Sequence, residues 1–227
     1  MSTHTQQGAG ARVQRSDGAR SRQAILDEAA RLATIEGLDG LSIGRLADAV
    51  GMSKSGLYAH FGSKEELQLA TIESATTVFL ELIVEPAQGA PTGLDRLMLL
   101  TEGFLDYVED GVYPGGCFFA SVAAEFDTRP GAVRETAISL GVRWLELLEE
   151  AIRDAQSEGL IGPQEDGAQL AFELNAYLLL ANAQYVAQQS PAPMVRARKA
   201  IVTRLAAAGA AVDSAHQDER PMPARPH

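Results

Sequence analysis

Apolar positions recur at helical spacing along most of this chain, and the punctuation between them sets where each helix starts and stops. The densest punctuation lies between Leu41 and Leu67, LSIGRLADAVGMSKSGLYAHFGSKEEL. Ser42, Ser53 and Ser63 each stand where a hydroxyl can accept from an orphaned first-turn N–H. Leu41 with Leu46, and Met52 with Leu57, are spaced as hydrophobic staples around the first two caps, and Ser63-Lys64-Glu65-Glu66 reads as a full capping box. Gly51 falls at the reversal between the first two helices, a place for positive φ. The pattern predicts two short helices, the second over Lys54 to Phe61, followed at once by the start of a third.

Upstream, Ser21 to Ile35 predicts a helix with Ile25, Ala29 and Leu32 on one face and Gly37 as its stop. Residues 1–18 lack periodicity and predict a disordered arm; with Arg20 and Arg22 its arginines outnumber Asp17. A solvated tail is the first reading of that arm, a minor-groove or phosphate-tracking arm the second. Downstream, the helix opened by Ser63 runs until Pro86, about 30 Å at 1.5 Å per residue. Further helices are predicted over about Thr92–Glu109, Cys117–Phe126, Ala132–Glu158, Asp166–Gln188 and Ala192–Val212. GVYPGG breaks the chain at 111–116, and residues 213–227 predict a disordered tail. The helix 166–188 is apolar nearly all round, so it must be covered on most sides. With 192–212 it suits a four-helix bundle shared with a symmetry mate, the alternative being burial of both within one monomer.

In the second short helix, Leu57 and Phe61 fall on one face, able to pack on Ile43, Leu46, Ala47 and Val50. Ser55, Gly56 and Ala59 fall opposite, with Tyr58 and His60 to either side. That cross-section suits a helix laid in a major groove, although an ordinary helical hairpin has the same spacing. The run Leu41-Ser42-Ile43, Leu46-Ala47, Val50-Gly51, Ser53, Leu57-Tyr58-x-His60-Phe61 and Ser63-Lys64-Glu65-x-Leu67 resembles the N-terminal domain of TetR-family transcriptional regulators. Ile25-Leu26-x-x-Ala29-Ala30 and Gly37 match that family's first helix. The resemblance covers roughly residues 20 to 70, with one departure at Gly44, where the family more usually has a larger residue.

The resemblance implies an all-α homodimer: a three-helix helix-turn-helix DNA-binding domain over 19–66 and a helical ligand-binding and dimerisation domain over 67–212. The helix after Ser63 would link the two. Double-stranded operator DNA would be the partner, with a small apolar or amphipathic effector. Lys54, Ser55 and Gly56 occupy the end of the recognition helix that reaches base edges, Lys54 toward guanine and Ala59 toward a thymine methyl. Ser42, Tyr58, His60 and Lys64 resemble the family's phosphate contacts.

Charge first argues against DNA, since the chain carries a formal net charge of −11. Its distribution removes the objection: residues 1–66 are balanced, and the remainder holds the whole excess. Of three lysines, Lys54 and Lys64 lie in the proposed DNA face. One cysteine excludes an internal disulfide and fits a reducing cytoplasm. No run approaches the ~18 apolar residues of a membrane span, and no secretory signal opens the chain.

Candidate chemistry is sparse. Of the four histidines, His4, His216 and His227 lie in the predicted tails, leaving His60 and neither a metal cluster nor a Ser-His-Asp triad. No catalytic residue, metal site or cofactor is expected, and an enzyme on a regulator-like scaffold is the remote alternative. Met98, Phe104, Tyr107, Phe118, Phe119, Phe126, Trp144 and Tyr177 could jointly line an apolar cavity, with Glu125 and Asn175 as polar members. Core packing is the plainer reading of each. A nearer alternative is a regulator that senses oxidation through Cys117 without a ligand, although no basic residue adjoins it to lower its pKa.

Overall fold

The computed structural model describes the backbone of residues 7–212 and the side chains of residues 18–212. In order, the helices are α1 (Gln7–Glu36), α2 (Ile43–Ala49), α3 (Lys54–Tyr58), α4 (Lys64–Phe79), α5 (Glu85–Gln88), α6 (Gly93–Glu109), α7 (Phe118–Phe126), α8 (Ala132–Ser157), α9 (Gly167–Gln188) and α10 (Ala192–Ala207). A π-helical turn, Leu80–Val84, joins α4 to α5. No strand occurs among the described residues.

The caps form as spaced. Ser42 Oγ accepts from Arg45 N at 3.1 Å, Ser53 Oγ from Gly56 N at 3.1 Å, and Ser63 Oγ from Glu66 N at 3.0 Å. Each such cap stabilises its helix by about 1 kcal/mol. The capping box differs in its return bond. Glu66 Oε2 accepts from Gly62 N–H at 2.9 Å rather than from the cap residue's own N–H. A Cβ at position 62 would stand 2.9 Å from that oxygen, so glycine leaves the carboxylate room to reach back. Gly51 takes φ +66 at the α2–α3 reversal.

Four boundaries differ from the sequence expectation, the last of them at α10, which ends at Ala207 rather than about Val212 because the chain turns through Gly209 at φ +94. First, α1 begins at Gln7, so residues 7–18 of the expected disordered arm are helical. Alanine, glutamine and arginine in this segment favour the helix and its three glycines oppose it, so the segment continues a helix nucleated and anchored by its later turns in the core. Residues 1–6 and the expected tail 213–227 lie outside the described residues. Second, α3 ends at Tyr58, three residues before Phe61. The chain tightens there, His60 N donating to Leu57 O at 3.0 Å, to turn Phe61 into the core. Third, Pro86 does not stop the long helix. The π turn shifts the hydrogen-bond register, and Pro86 falls in the first positions of α5, where a missing N–H is tolerated.

The continuous helix Lys64–Gln88 is, by length and composition, long and apolar enough to cross a membrane, which amends the expectation that no segment is. Leu67, Ile72, Ala75, Ile83 and Val84 in it are spent on the core, facing α1, α6 and α8.

Packing proceeds in two connected parts. α1 lies against α2 and α4, burying Ile25, Ala29 and Leu32 with Leu46, Leu57, Phe61 and Leu67. Arg22 of α1 stacks its guanidinium 4.8 Å from the Phe61 ring centre. α6, α8, α9 and α10 pack together, with α7 wedged between α8 and α1. The 111–116 loop approaches α1 so closely that a Cβ at Gly115 would stand 1.9 Å from Thr34 O, and Gly115 N donates to Thr34 Oγ1 at 3.1 Å. Arg198 of α10, 6 % exposed, ties α10 to α6 through Glu102 at 2.8 Å and Asp106 at 2.9 Å. Glu109 Oε2 lies 2.7 Å from the same guanidinium and completes the ion-pair cluster.

Candidate nucleic-acid interface and interior cavity

The surface of α2 and α3 carries the residues singled out for DNA. Ser42, Lys54, Ser55, Tyr58, Ala59 and Lys64 are exposed, while Gly56 and His60 are half-buried. Leu57 and Phe61 point the other way and are buried, so the predicted two-faced cross-section is present. Two of the basic groups have neighbours the sequence did not announce. The Lys54 side chain folds over α2, and a Cβ at Gly44 would stand 3.0 Å from Lys54 Cε and 3.2 Å from Nζ. The unusual glycine thus makes room for the lysine. Lys64 Nζ pairs with Asp39 Oδ1 at 3.0 Å, and Asp39 also binds Arg129. The Lys64 ammonium, then Arg129, holds the Asp39 carboxyl below its usual range.

Behind this surface, the α1–α2 loop is gripped from two helices and the segment following one of them. Glu125 of α7 accepts from Leu38 N at 2.7 Å and Asp39 N at 2.9 Å. Gln68 of α4 donates to Leu38 O at 3.1 Å, and Arg129, three residues beyond α7, binds the Asp39 side chain. Glu125 was expected as a polar member of the cavity; it serves the loop instead, because it projects from the face of α7 turned to α1.

The cavity has a volume of about 730 Å³ and lies among α4, α6, α7, α8 and α9. Phe104, Phe119 and Trp144 line it as expected, with Asn175 as a polar member. Met98, Tyr107, Phe118, Phe126 and Tyr177 do not. Helical geometry is the reason: neighbours one residue apart point about 100° apart, so Phe119 faces the space while Phe118 faces the core. Tyr107 and Phe126 are likewise buried in the core, Met98 is half-buried, and Tyr177 lines a separate shallow depression beside α10.

Sequence reasoning missed Phe79, which stands edge-on to Phe119 and to Trp144, both at 5.3 Å between ring centres. Its place in the lining follows from the last turn of α4, with Leu80 and Val84 of the π turn beside it. Asn182 was missed too, although it lies seven residues after Asn175, two helical turns along the same face. Asn175 Oδ1 accepts from Trp144 Nε1 at 3.0 Å, and Asn182 Oδ1 from Cys117 N at 2.8 Å. Cys117 is 2 % exposed, and burial pushes its thiol up to about 11. A protonated thiol is a poor nucleophile, so oxidation sensing through Cys117 has no support here. Among the described residues no His, Cys, Asp or Glu cluster is arranged to hold a metal.

A third feature is the outer face of α9. Leu170, Leu174, Leu178 and Tyr185 point inward, while Phe172 is 61 % and Leu180 58 % exposed. Half of the all-round apolar character is therefore uncovered in the monomer.

Comparison with known proteins fits both halves of the chain. Residues 25–71 match the model of bacterial regulatory proteins of the tetR family, and residues 93–201 match the tetracyclin repressor-like C-terminal domain. The chain is 23 % identical to the transcriptional regulator AcuR of Cereibacter sphaeroides over 156 residues, 68 % of this chain and 71 % of that one. Over 65 residues, 29 % of this chain and 35 % of the relative, it is 37 % identical to the HTH-type transcriptional repressor AcnR of Corynebacterium glutamicum. A TetR transcriptional regulator from Chloroflexus aurantiacus superposes with a TM-score of 0.78 at 26 % identity, over 84 % of this chain and 96 % of that one. AibR, solved with isovaleryl coenzyme A and operator DNA, superposes with a TM-score of 0.61 at 28 % identity, over 71 % and 85 %. With a capped helix-turn-helix in front and the matching helical body behind, this chain belongs to the TetR family and is a DNA-binding transcriptional regulator.

Proposed function

We propose that the protein is a repressor that binds a near-palindromic operator as a homodimer and is released when a small apolar or amphipathic molecule occupies the cavity. The proposed organisation is an arm (1–18), a DNA-binding domain (19–66), a ligand-binding and dimerisation domain (67–212) and a tail (213–227). Lys54, Ser55, Gly56 and Ala59 face the bases; Ser42, Tyr58, His60 and Lys64 approach the phosphates. The partner subunit docks through α9 and α10. AibR, crystallised with both an acyl thioester and operator DNA, supports the pairing of the two ligands in one molecule. The setting is the cytoplasm, where operator DNA is available, and the reading calls for no reaction.

The observation that carries this reading is that α7 serves both sites. Phe119, Ala120 and Ala123 line the cavity from one face of α7, while Glu125 on another holds the α1–α2 loop. Phe79 and the π turn give α4 the same double duty, since α4 also carries Gln68. A molecule that displaces either helix moves the loop in front of α2. The resemblance implies α4 as the link between the two domains; α7 is a second path.

Selection of bound sequences from random duplex DNA with the purified protein tests the first half, with symmetric half-sites as the expected result. The second half is tested by linkage: whatever weakens DNA binding must itself bind less well to the DNA complex. A compound with equal affinity for free and operator-bound protein would contradict release through the cavity.

A further inference from the structure

Two carboxamides fix the polar chemistry of the cavity. Asn175 and Asn182 sit on one face of α9, about 10 Å apart along the helix at 1.5 Å per residue. Trp144 Nε1 donates to Asn175 Oδ1 at 3.0 Å, and Cys117 N donates to Asn182 Oδ1 at 2.8 Å. An indole N–H and a backbone N–H only donate. Flipping either amide would set donor against donor, so these partners decide an orientation that electron density often leaves ambiguous. The donor each asparagine has left for a ligand is its –NH2, which finds no protein acceptor among the described residues, while the second lone pair of each Oδ1 can stay unused at little cost.

The two hydroxyls lining the cavity add no competing donor, and the one guanidinium of the lining lies at its exposed rim. Thr76 Oγ1 donates to Ile72 O at 2.8 Å and Ser121 Oγ to Cys117 O at 3.3 Å, so both hydroxyl protons are spent on backbone. Arg143 and Asp127 are exposed, opposite in charge, and Arg143 is paired with Glu146. A buried N–H left without an acceptor is rarer in proteins than an under-used oxygen lone pair. The obligation therefore falls on the ligand to bring acceptors. A carboxylate would bring them with a charge that no buried cation of the lining neutralises.

We infer that the cavity selects uncharged molecules that carry an acceptor oxygen, such as the carbonyl of a ketone, ester or thioester, on an apolar body. The inference rests on the cavity being the effector site. Trp144 is the single tryptophan of the chain and is bonded to Asn175, so its fluorescence reports on the cavity directly.

The test titrates the full chain with 2-octanone, methyl heptanoate, 2-methyl-1-octene and octanoate, following Trp144 emission. Asn182→Ala should weaken the two carbonyl compounds about fivefold to tenfold, the scale of one net hydrogen bond, and leave the acceptor-free hydrocarbon nearly unchanged. Octanoate should bind the wild type more weakly than either carbonyl compound. Asn175→Ala, at a half-buried position, repeats the test should the loss of Cys117's acceptor impair folding. Carbonyl affinities that survive both substitutions, a hydrocarbon weakened as much as the ketone, or tighter octanoate would overturn the inference and leave the cavity as a general apolar site. Failure of all four compounds to bind would overturn it together with the effector-site reading.

Discussion

The Glu125 carboxylate accepts from the backbone N–H of Leu38 at 2.7 Å, joining α7 of the helical body to the loop that leads into α2. A second bond, from Asp39 N–H at 2.9 Å, makes the grip two-point. Glu125 is half-buried, so these bonds to a charged acceptor outweigh a fully exposed contact.

Glu125→Gln keeps one acceptor oxygen and replaces the other with a donor that faces a donor. Stability should fall by about 1–3 kcal/mol. Amide hydrogen exchange should quicken at Leu38 and Asp39 while the α6 core stays protected. Unchanged exchange at both amides would show that the carboxylate does not hold the loop in solution.

Gly44→Ala separates helix stability from base recognition. Alanine should stabilise α2 by up to about 1 kcal/mol, since glycine is the poorer helix former. Its methyl would stand 3.0 Å from Lys54 Cε, and the flexible end of the lysine must move aside. The expected result is a higher melting temperature with altered base preference at the position Lys54 reads. A higher melting temperature with the preference untouched would detach Gly44 from recognition.

Lys54→Ala should cost about 1–3 kcal/mol per half-site at the cognate base and relax preference there. Tyr58→Phe should weaken all duplexes alike. Lys64→Ala should flatten the salt dependence by less than a free lysine would, because Asp39 already pairs with its ammonium. Binding to operator and single-base variants at two salt concentrations distinguishes these. Equal loss on every sequence would make Lys54 a phosphate contact.

Phe172→Glu combined with Leu180→Glu places charge on the uncovered face of α9, where both side chains are more than half exposed in the monomer. The double variant should keep its helix content and pass from dimer to monomer in light scattering. A wild-type monomer at micromolar concentration would remove the α9 interface altogether.

Cys117 should resist alkylation. Burial favours the neutral thiol, and the thiolate stays a small minority until the pH approaches about 11. At pH 8 the native protein should react slowly with iodoacetamide and the denatured protein rapidly, and Cys117→Ser should leave effector response intact. Fast native labelling at pH 8 would show a thiol far more exposed than this packing permits.

The local grammar of residues 41–67 was readable because it is short-range. A cap bond spans three residues and a staple five, so Ser42, Ser53, Ser63 and Gly51 announce their roles without knowledge of anything distant. The inward face of α3 was equally legible from the spacing of Leu57 and Phe61. The end of α3 was not, because the pull of Phe61 into the core decides it. Nor was the passage through Pro86, where a π turn overrides the residue's ordinary meaning as a stop.

Composition and periodicity thus determined the all-helical class, the helix starts and the presence of surplus aromatic residues in the body. Tertiary structure alone decided which of those aromatics meet. Phe104, Phe119 and Trp144 share the cavity with Phe79, while Phe118, one residue away, is fully buried in the core. It also moved Glu125 from the expected cavity to the Leu38 loop, and laid Lys54 over Gly44. Each of these depends on the angle at which one helix crosses another, set by packing between residues tens of positions apart. Local spacing along the chain carries no record of that angle.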